Sequence, residues 1–546
     1  MKFLGISHLA PSPFGHDSAV AMLDDDFQLF AISEERLSRV KHDGGYPSTA
    51  IQSCLSHSNL MLAEIEKISV GFGLEENRVG KRDDEKFCSF ANNSNFERTP
   101  IGKKNPLFFD HQYIHARTSY ALSGFKKALV ICLDGGGVDN GKTNSGGIFV
   151  VDNGVITPIK YFSINASLGN IYGAITEICG FRMVDGEGKT MTLSPFGEKY
   201  QENEKGKIYE HMCKVFPNVT GMDLQSNGGI TLDGKVLHDF AIYDILDTRL
   251  LLLERLYHKN LIAWAAQKRL EEIVIEIIKE AVEYSGIKNV ALGGGVFLNM
   301  IMNMRIKEAF AKKIELFFNP ICNDLGNAIG ATLEHCFQET GKNISFPNMS
   351  LYLGNSYSDE EVIASSKKFN FKVKKADKIE TAIDLIDKAK IIGWFQGRAE
   401  LGARALGHRS IVSLATEKKF KDIVNNKVKK RESWRPFCPT IIEEKSSEFL
   451  EDTDYLPYMI VGSKMIDPES APAVCHVDGT TRPQILKKED NPDFHEVVKG
   501  AGGIVLNTSF NLAGEPIVET PYHALLTLKN SDLDALVIND YLIEKN

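Results

Sequence analysis

Twice along this chain a short apolar strand runs into a glycine-punctuated turn, a second strand, another turn and a third strand. The first copy is KFLGISH, SPFGHDSAVAMLD and FQLFAISEERLSRV, within residues 2–40; the second is KALVICLDGGG, SGGIFVVDNG and VITPIKYFSI, within residues 127–164. Short apolar runs cut by Gly, Asn and Asp form strands that pair with their neighbours, so the recurrence reads as an internal duplication. The expected front half is a pair of related α/β lobes whose glycine turns face a cleft. At 546 residues the chain also exceeds what one hydrophobic core holds, about 250–300 residues. The pattern resets after ISFPNMSLYLGNSYSD into a helix, a strand and a second helix. The expected domains are therefore 1–347 and 355–546.

Composition narrows the function classes. A net charge of −9 gives a nucleic-acid partner no electrostatic support beyond a local patch. Nine cysteines, an odd number without a CxxC pair, read as the reduced thiols of a cytoplasmic protein. With no apolar leader core after Met1 and no run of membrane-spanning length, a soluble protein away from membranes is expected.

Candidate chemistry in the front half sits at the strand ends. His16 occupies the first glycine turn, where it is either a base facing the cleft or a turn histidine bonded to backbone. FFDHQYIHARTSYALSGF reads as a helix capped by Asp110 and ended by Gly124, with His111 and His115 one turn apart on one face. Such a pair is a recurrent metal-chelating arrangement or, alternatively, two partly exposed helix histidines. Asp134 ends the apolar strand ALVICLD, where a carboxylate needs a positive partner, and Asp324 opens a helix in NPICNDLGNAIGA. Alternatively, an N-cap or a tight turn would account for either aspartate. Two His and two Asp would suit Fe(II), Mn(II) or Zn(II). Gly293, Gly294 and Gly295 follow a buried strand and precede a helix, as a phosphate loop does. Gly186, Gly188 and Lys189 are a second phosphate cradle or an ordinary turn. The polar stretch Gly71–Pro106 reads as an excursion over the cleft and a lid for an acceptor.

In the rear half, IIGWFQGRAELGARALGHRSI sets Arg398, Arg404 and Arg409 among glycines, and NNKVKKRESWRPFCPT adds Lys427, Lys429, Lys430, Arg431 and Arg435. Guanidinium forks and backbone N–H groups suit phosphate or carboxylate, and interleaved Trp394, Phe395, Trp434 and Phe437 argue for a pocket rather than a solvated face. The turns HVDGTTRPQ and NTSFN bring His476, Arg482, Ser509 and Asn511 towards it.

Lys429-x-Arg431 with Ser509-x-Asn511 resembles the KxR and SxN signature of the YrdC-like fold. The fuller strings GRAELGARALGHRSI, VKKRESWRPFCP, HVDGTTRPQ and NTSFN, in that order, resemble the NodU/CmcH family of O-carbamoyltransferases, with departures at Leu401, Ala403, His408 and Ser433-Trp434. GHDSA, EERLSRVKHD, DGEGKTMTLSPFGE and GGGVFLN are similar to family segments in the front half. The resemblance implies an α/β protein: a duplicated actin/Hsp70-like (ASKHA, Kae1-like) domain followed by a YrdC-like domain. It implies His16 as base and Lys41 as a catalytic, nucleotide or acceptor contact. A metal held by His111, His115, Asp134 and Asp324 is implied too, with iron favoured over Mn2+ or Zn2+.

The same resemblance assigns nucleotide or carbamoyl-adenylate contacts to Gly293, Gly294, Gly295, Asn299, Lys189, Arg404, Lys429, Arg431, Ser509 and Asn511. It assigns carbamoyl phosphate contacts to Arg398, Arg404, Arg435 and Arg482. The implied partners are carbamoyl phosphate, ATP with Mg2+, and a small hydroxylated acceptor such as a sugar or antibiotic; no nucleic acid or membrane partner is expected, and a homodimer is one option for assembly. A threonylcarbamoyl-adenosine synthase acting on tRNA and a non-enzymatic actin-like scaffold are the competing readings.

Overall fold

The computed structural model describes residues 2–7, 16–72, 100–226, 231–232, 235–236 and 248–546. Most of the expected lid, residues 73–99, lies outside them. Two compact units emerge: Met1–Gln28, Gly44–Tyr46 and Met61–Met349 form the first, and Leu29–Asp43, Pro47–Leu60 and Ser350–Asn546 the second. The second unit begins within the expected boundary segment, but it also takes two pieces from the front of the chain. Strand β3 (Leu29–Ser33) and helix α1 (Glu34–Ser38) belong to it, and hydrogen bonds explain why. Buried Arg36 donates to the carbonyls of Glu400 and Gly402 at 3.1 and 2.8 Å, and Arg39 to those of Pro516 and Ile517, both at 2.7 Å. A division of the chain at a single point cannot anticipate pairs more than 350 residues apart.

In the first unit, β1 (Phe3–Ile6) pairs antiparallel with β2 (Ala19–Leu23) and parallel with β4 (Lys67–Val70), which pairs parallel with β5 (Leu107–Phe108). Further along, β6 (Lys127–Asp139) pairs antiparallel with β7 (Lys142–Asp152), itself antiparallel to β8 (Val155–Ser163). On its other side β6 runs parallel to β9 (Asn289–Gly293), which is parallel to β10 (Glu315–Phe318). The orders β2-β1-β4-β5 and β7-β6-β9-β10 repeat, with the same strand senses.

Helices α2 (His111–Ser123) and α3 (Leu325–Thr340) cross between these sheets' flanks and carry the site. α2 ends at Gly124 with φ 74°, the left-handed conformation a glycine adopts without penalty. Its N-terminus differs from expectation: Asp139, not Asp110, caps it, accepting from the amides of Gln112 and Tyr113 at 2.8 and 3.3 Å. Asp110 instead accepts from the amide of Asn140 at 3.1 Å. α3 packs on α2 so closely that a Cβ at Gly330 would stand 2.4 Å from Thr118 Oγ1. One turn away, Arg117 and Glu334, each 2% exposed, form a buried ion pair whose Nε–Oε2 bond is 2.6 Å. Tyr113 Oη and Gln338 Nε2 satisfy Glu334 Oε1 at 3.2 and 2.8 Å.

The second unit centres on eight strands. In chain order they are β11 (Phe371–Lys375), β12 (Ile392–Phe395), β13 (Arg409–Leu414), β14 (Cys438–Ile442), β15 (Gln484–Leu486), β16 (Ile504–Ser509), β17 (Ala535–Ile538) and β18 (Tyr541–Lys545). They lie in the order β11-β18-β17-β12-β13-β16-β14-β15, with parallel and antiparallel pairs mixed. Alternation along β12 sends Ile392 and Trp394 to one core and Phe395 to the other, so both faces are covered and the strand reads as a continuous apolar run. The protein is thus mixed α/β with mixed sheets, and among the described residues no helix is long and apolar enough to cross a membrane.

Arg117→Met leaves Glu334 as a buried charge without its partner, and should lower stability by about 3–5 kcal/mol in urea unfolding. Arg117→Met with Glu334→Leu should recover most of that loss. A single-variant loss below about 1 kcal/mol would show that the α2–α3 crossing does not depend on the pair.

Candidate active site

Strand, helix and loop each bring one kind of ligand to a single point in the first unit. The helical spacing of His111 and His115 puts their Nε2 atoms 3.2 Å apart, both rings buried. Asp134 does not end its strand as expected. β6 continues through the three glycines to Asp139, and the ladder with β7 shifts register between Leu133 and Gly137. This bulge re-aims the carboxylate at the helix: Asp134 Oδ2 lies 3.1 Å from His111 Nε2 and 3.7 Å from His115 Nε2. Gly137 is required beside it, since a Cβ there would stand 2.2 Å from the His111 ring. Asp324 holds the N-cap position of α3 but makes no cap bond; its Oδ1 lies 3.4 and 3.3 Å from the two Nε2 atoms.

All four ligand atoms fall within 4.8 Å of one another. Ligands about 2.1 Å from a central cation would be about 3.0–3.4 Å apart along the edges of their polyhedron, close to the spacings seen. The electrostatics call for positive charge. Burial alone would push both carboxyls up, yet the two histidines hold Asp134 well below the usual carboxylate range and lower Asp324 as well. Conversely, burial opposes a proton on His115 but Asp134 and Asp324 overcome it, lifting the ring to about 9. Two imidazoles and two carboxylates so compressed fit a divalent cation in place of that proton. Asn327, which the sequence did not point out, contributes its amide within 3.3 Å of His115 Nε2.

His16 belongs to the same neighbourhood. Its Nδ1 lies 3.2 Å from Asp17 Oδ2, which accepts from Asn323 Nδ2 at 2.9 Å, one residue before Asp324. Asp17 adopts φ 63°, a left-handed conformation uncommon for a non-glycine residue. Burial disfavours the imidazolium, but Asp17, then Asp324 and Asp134, raise His16 to about 9. Asp17 and Asn323 were missed from sequence; the GHDS string was the available signal for the first. Lys41 falls in the second unit, exposed, with its charge acting on Lys429.

Several expected phosphate contacts have other employment. The amide of Gly295 donates to Asp134 Oδ1 at 2.9 Å, and Gly294 needs its φ of 87° to bring that amide round. The triplet Gly293–Gly295 therefore braces a carboxylate. Asn299 caps the following helix, accepting from the Met302 amide at 3.0 Å, and its amide group pairs with Gln267 at 2.8 and 3.1 Å. Lys189 is half-buried in a seven-residue helix, 5.4 Å over the Phe181 ring.

In the second unit the SxN and KxR residues meet. Buried Lys429 donates to the carbonyl of Ser509, to Ser509 Oγ at 3.2 Å, and to the carbonyl and Oδ1 of Asn511 at 3.1 and 2.9 Å. Burial, then Arg431, Arg435 and Lys41, pushes its ammonium well below the usual lysine range, against Glu515. Burial also lowers Arg431 to about 9, with Arg435 and Arg482 adding to the effect and Cys438 opposing. Arg482 Nε donates to Cys438 Sγ at 3.0 Å. Such concentrated positive charge is suited to an anion.

Not every arginine of the glycine loop joins it. Arg398 donates to the carbonyls of Leu353 and Gly354 at 2.6 and 3.0 Å, and Arg409, fully buried, to those of Gln396, Gly397, His408 and Asn355. Both brace backbone, because buried carbonyls need donors. Arg404 is half-buried in the loop between β12 and β13.

Comparison with known proteins supplies the reaction. The model of the carbamoyltransferase N-terminus matches residues 2–78 and 90–333, and that of the carbamoyltransferase C-terminus matches 383–545. Nodulation protein NolNO of Sinorhizobium fredii is 31% identical over 565 residues, 98% of this chain and 80% of that protein. A 3'-hydroxymethylcephem-O-carbamoyltransferase of Streptomyces clavuligerus is 27% identical over 256 residues, 46% of this chain and 47% of that one. Nodulation protein U of Rhizobium fredii is 31% identical over 237 residues, covering 42% and 39%. With family matches running through both units, this chain is an enzyme of carbamoyl transfer and belongs to the carbamoyltransferase family.

Proposed function

We propose that the enzyme is an ATP-dependent O-carbamoyltransferase that works through carbamoyl-adenylate. The first unit is read as a Kae1-like, actin-type domain and the second as a YrdC-like domain. The observation that carries the adenylate step is the cluster of buried Lys429 with half-buried Arg431, Arg435 and Arg482 beside Ser509 and Asn511. Water first releases carbamate and phosphate from carbamoyl phosphate. A carbamate oxygen then attacks the α-phosphorus of ATP, and pyrophosphate leaves. Both partners are anions, so the barrier falls chiefly through charge neutralisation and alignment. Lys429 and Arg431 would contact the nucleotide phosphates, and Arg404, Arg435 and Arg482 the carbamoyl phosphate.

The acceptor is a hydroxyl of a small metabolite, a sugar or another natural product. Its oxygen attacks the carbamoyl carbon, AMP leaves, and His16 takes the hydroxyl proton. His111, His115, Asp134 and Asp324 would hold a divalent cation, Fe2+ first among candidates, which when bound supplies Lewis-acid polarisation of a carbonyl. Asp17 orients His16 and controls its proton affinity.

Separate readouts distinguish the two half-reactions. Lys429→Met should lower ATP- and carbamoyl phosphate-dependent pyrophosphate release by about 10²–10³-fold. His111→Ala should leave that release running while carbamoylation of the acceptor, followed by mass spectrometry, is lost. Normal transfer by His111→Ala would remove the chemistry from the four-ligand site.

The pH dependence has a defined sign. His16 must be neutral to accept a proton, and its carboxylate neighbours favour the charged form, so transfer should rise with pH along a limb set by this ring. Asp17→Asn removes the nearest negative charge and should move the limb to lower pH. An unmoved limb in kcat/KM would exclude His16 as its source.

A further inference from the structure

Asn425, to which neither half-reaction above gives a role, bonds to two of the cationic residues of the second unit, Arg431 and Arg435. It is fully buried in the π-helical turn Val424–Lys429, a wide-turn geometry that recurs at functional sites. Both ends of its amide are engaged. Oδ1 accepts from Arg431 Nε at 2.7 Å, while Nδ2 donates to the carbonyl of Arg435 at 2.9 Å and to that of Ser433 at 3.3 Å. Its own carbonyl accepts from the Arg431 amide at 3.0 Å, across the left-handed residue Lys430 at φ 48°. One side chain thus fixes the guanidinium of one cation and the backbone of another.

That clamp has a physical purpose. Lys429, Arg431, Arg435 and Arg482 raise one another's potential, and like charges left to themselves would swing apart towards solvent. A neutral amide can hold them without discharging them, whereas a carboxylate would compete with the incoming anion. An acceptor that ties only Nε leaves the terminal guanidinium nitrogens to other partners, of which one, Nη2, reaches the Pro436 carbonyl at 3.3 Å. We infer that Asn425 is a positioning residue for adenylate formation, holding Arg431 and the Ser433–Arg435 loop in place for an anionic phosphate group. The inference rests on the reading of this pocket as the adenylate-forming site.

The test varies ATP at saturating carbamoyl phosphate in the full-length enzyme and reads pyrophosphate release, with melting temperature measured in parallel. Asn425→Ala should raise the KM for ATP by roughly 10- to 100-fold, and Asn425→Asp, which keeps an acceptor for Arg431 Nε but loses the donor to the Ser433 and Arg435 carbonyls and competes with the anion, should raise it as well. On an Arg431→Ala background the Asn425→Ala change should add less than about twofold, because the group it positions is gone. A residue that merely closes the turn would instead multiply its effect onto that background. That outcome, or a wild-type KM in both Asn425 variants, overturns the inference alone. Unchanged pyrophosphate release in Arg431→Ala would overturn the adenylate reading and this inference together.

Discussion

The closeness of α2 and α3 is the constraint on which the first unit's chemistry depends. Two helices can present three ligands to one atom-sized point only if their axes nearly touch. Gly330 makes room for the backbone around Ile114 and Thr118, and the buried Arg117–Glu334 pair fixes the rotation of each helix against the other. Histidines projecting from α2 and the aspartate at the N-cap of α3 then meet without further adjustment. A loosened crossing would separate Asp324 from the histidines long before it exposed the core.

The two charged sites are built by opposite means. In the first unit, opposite charges are compressed, so that carboxylates raise the proton affinity of His115 and His16 while the histidines favour the ionised form of Asp134. In the second, like charges are compressed, and desolvation makes Lys429 and Arg431 poorer cations than they would be in water. An anion entering there regains what burial took away. Neutral side chains do the holding in both places: Asn323 and Asn327 in one, Asn425, Ser509 and Asn511 in the other.

Local rules carried over well where the partner lies within a few residues. Gly124 ends α2, as the FFDHQYIHARTSYALSGF stretch predicts, and Gly286 ends the 27-residue helix Lys259–Ser285 in the same left-handed conformation. The strand repeat was legible because its punctuation is local. Spacing along the chain said less where a buried group takes its partner from a distant segment. Asp139 rather than Asp110 caps α2, Arg398 and Arg409 brace carbonyls, and Asn299 pairs with Gln267. Each outcome depends on which buried group lacks a partner, and that group lies far away in the chain.

By itself, the sequence determined the kinds of group available and their local spacing: two imidazoles one helical turn apart, a carboxylate after an apolar strand, and Lys429 two residues from Arg431. It also carried the duplicated strand order, since alternation and glycine punctuation act over a few residues at a time. Tertiary structure decided which of these groups meet. The bulge at Asp134, the α2–α3 crossing and the bonds of Lys429 to a segment 80 residues away all arise from packing, because a buried charge settles wherever distant parts of the chain leave it a partner.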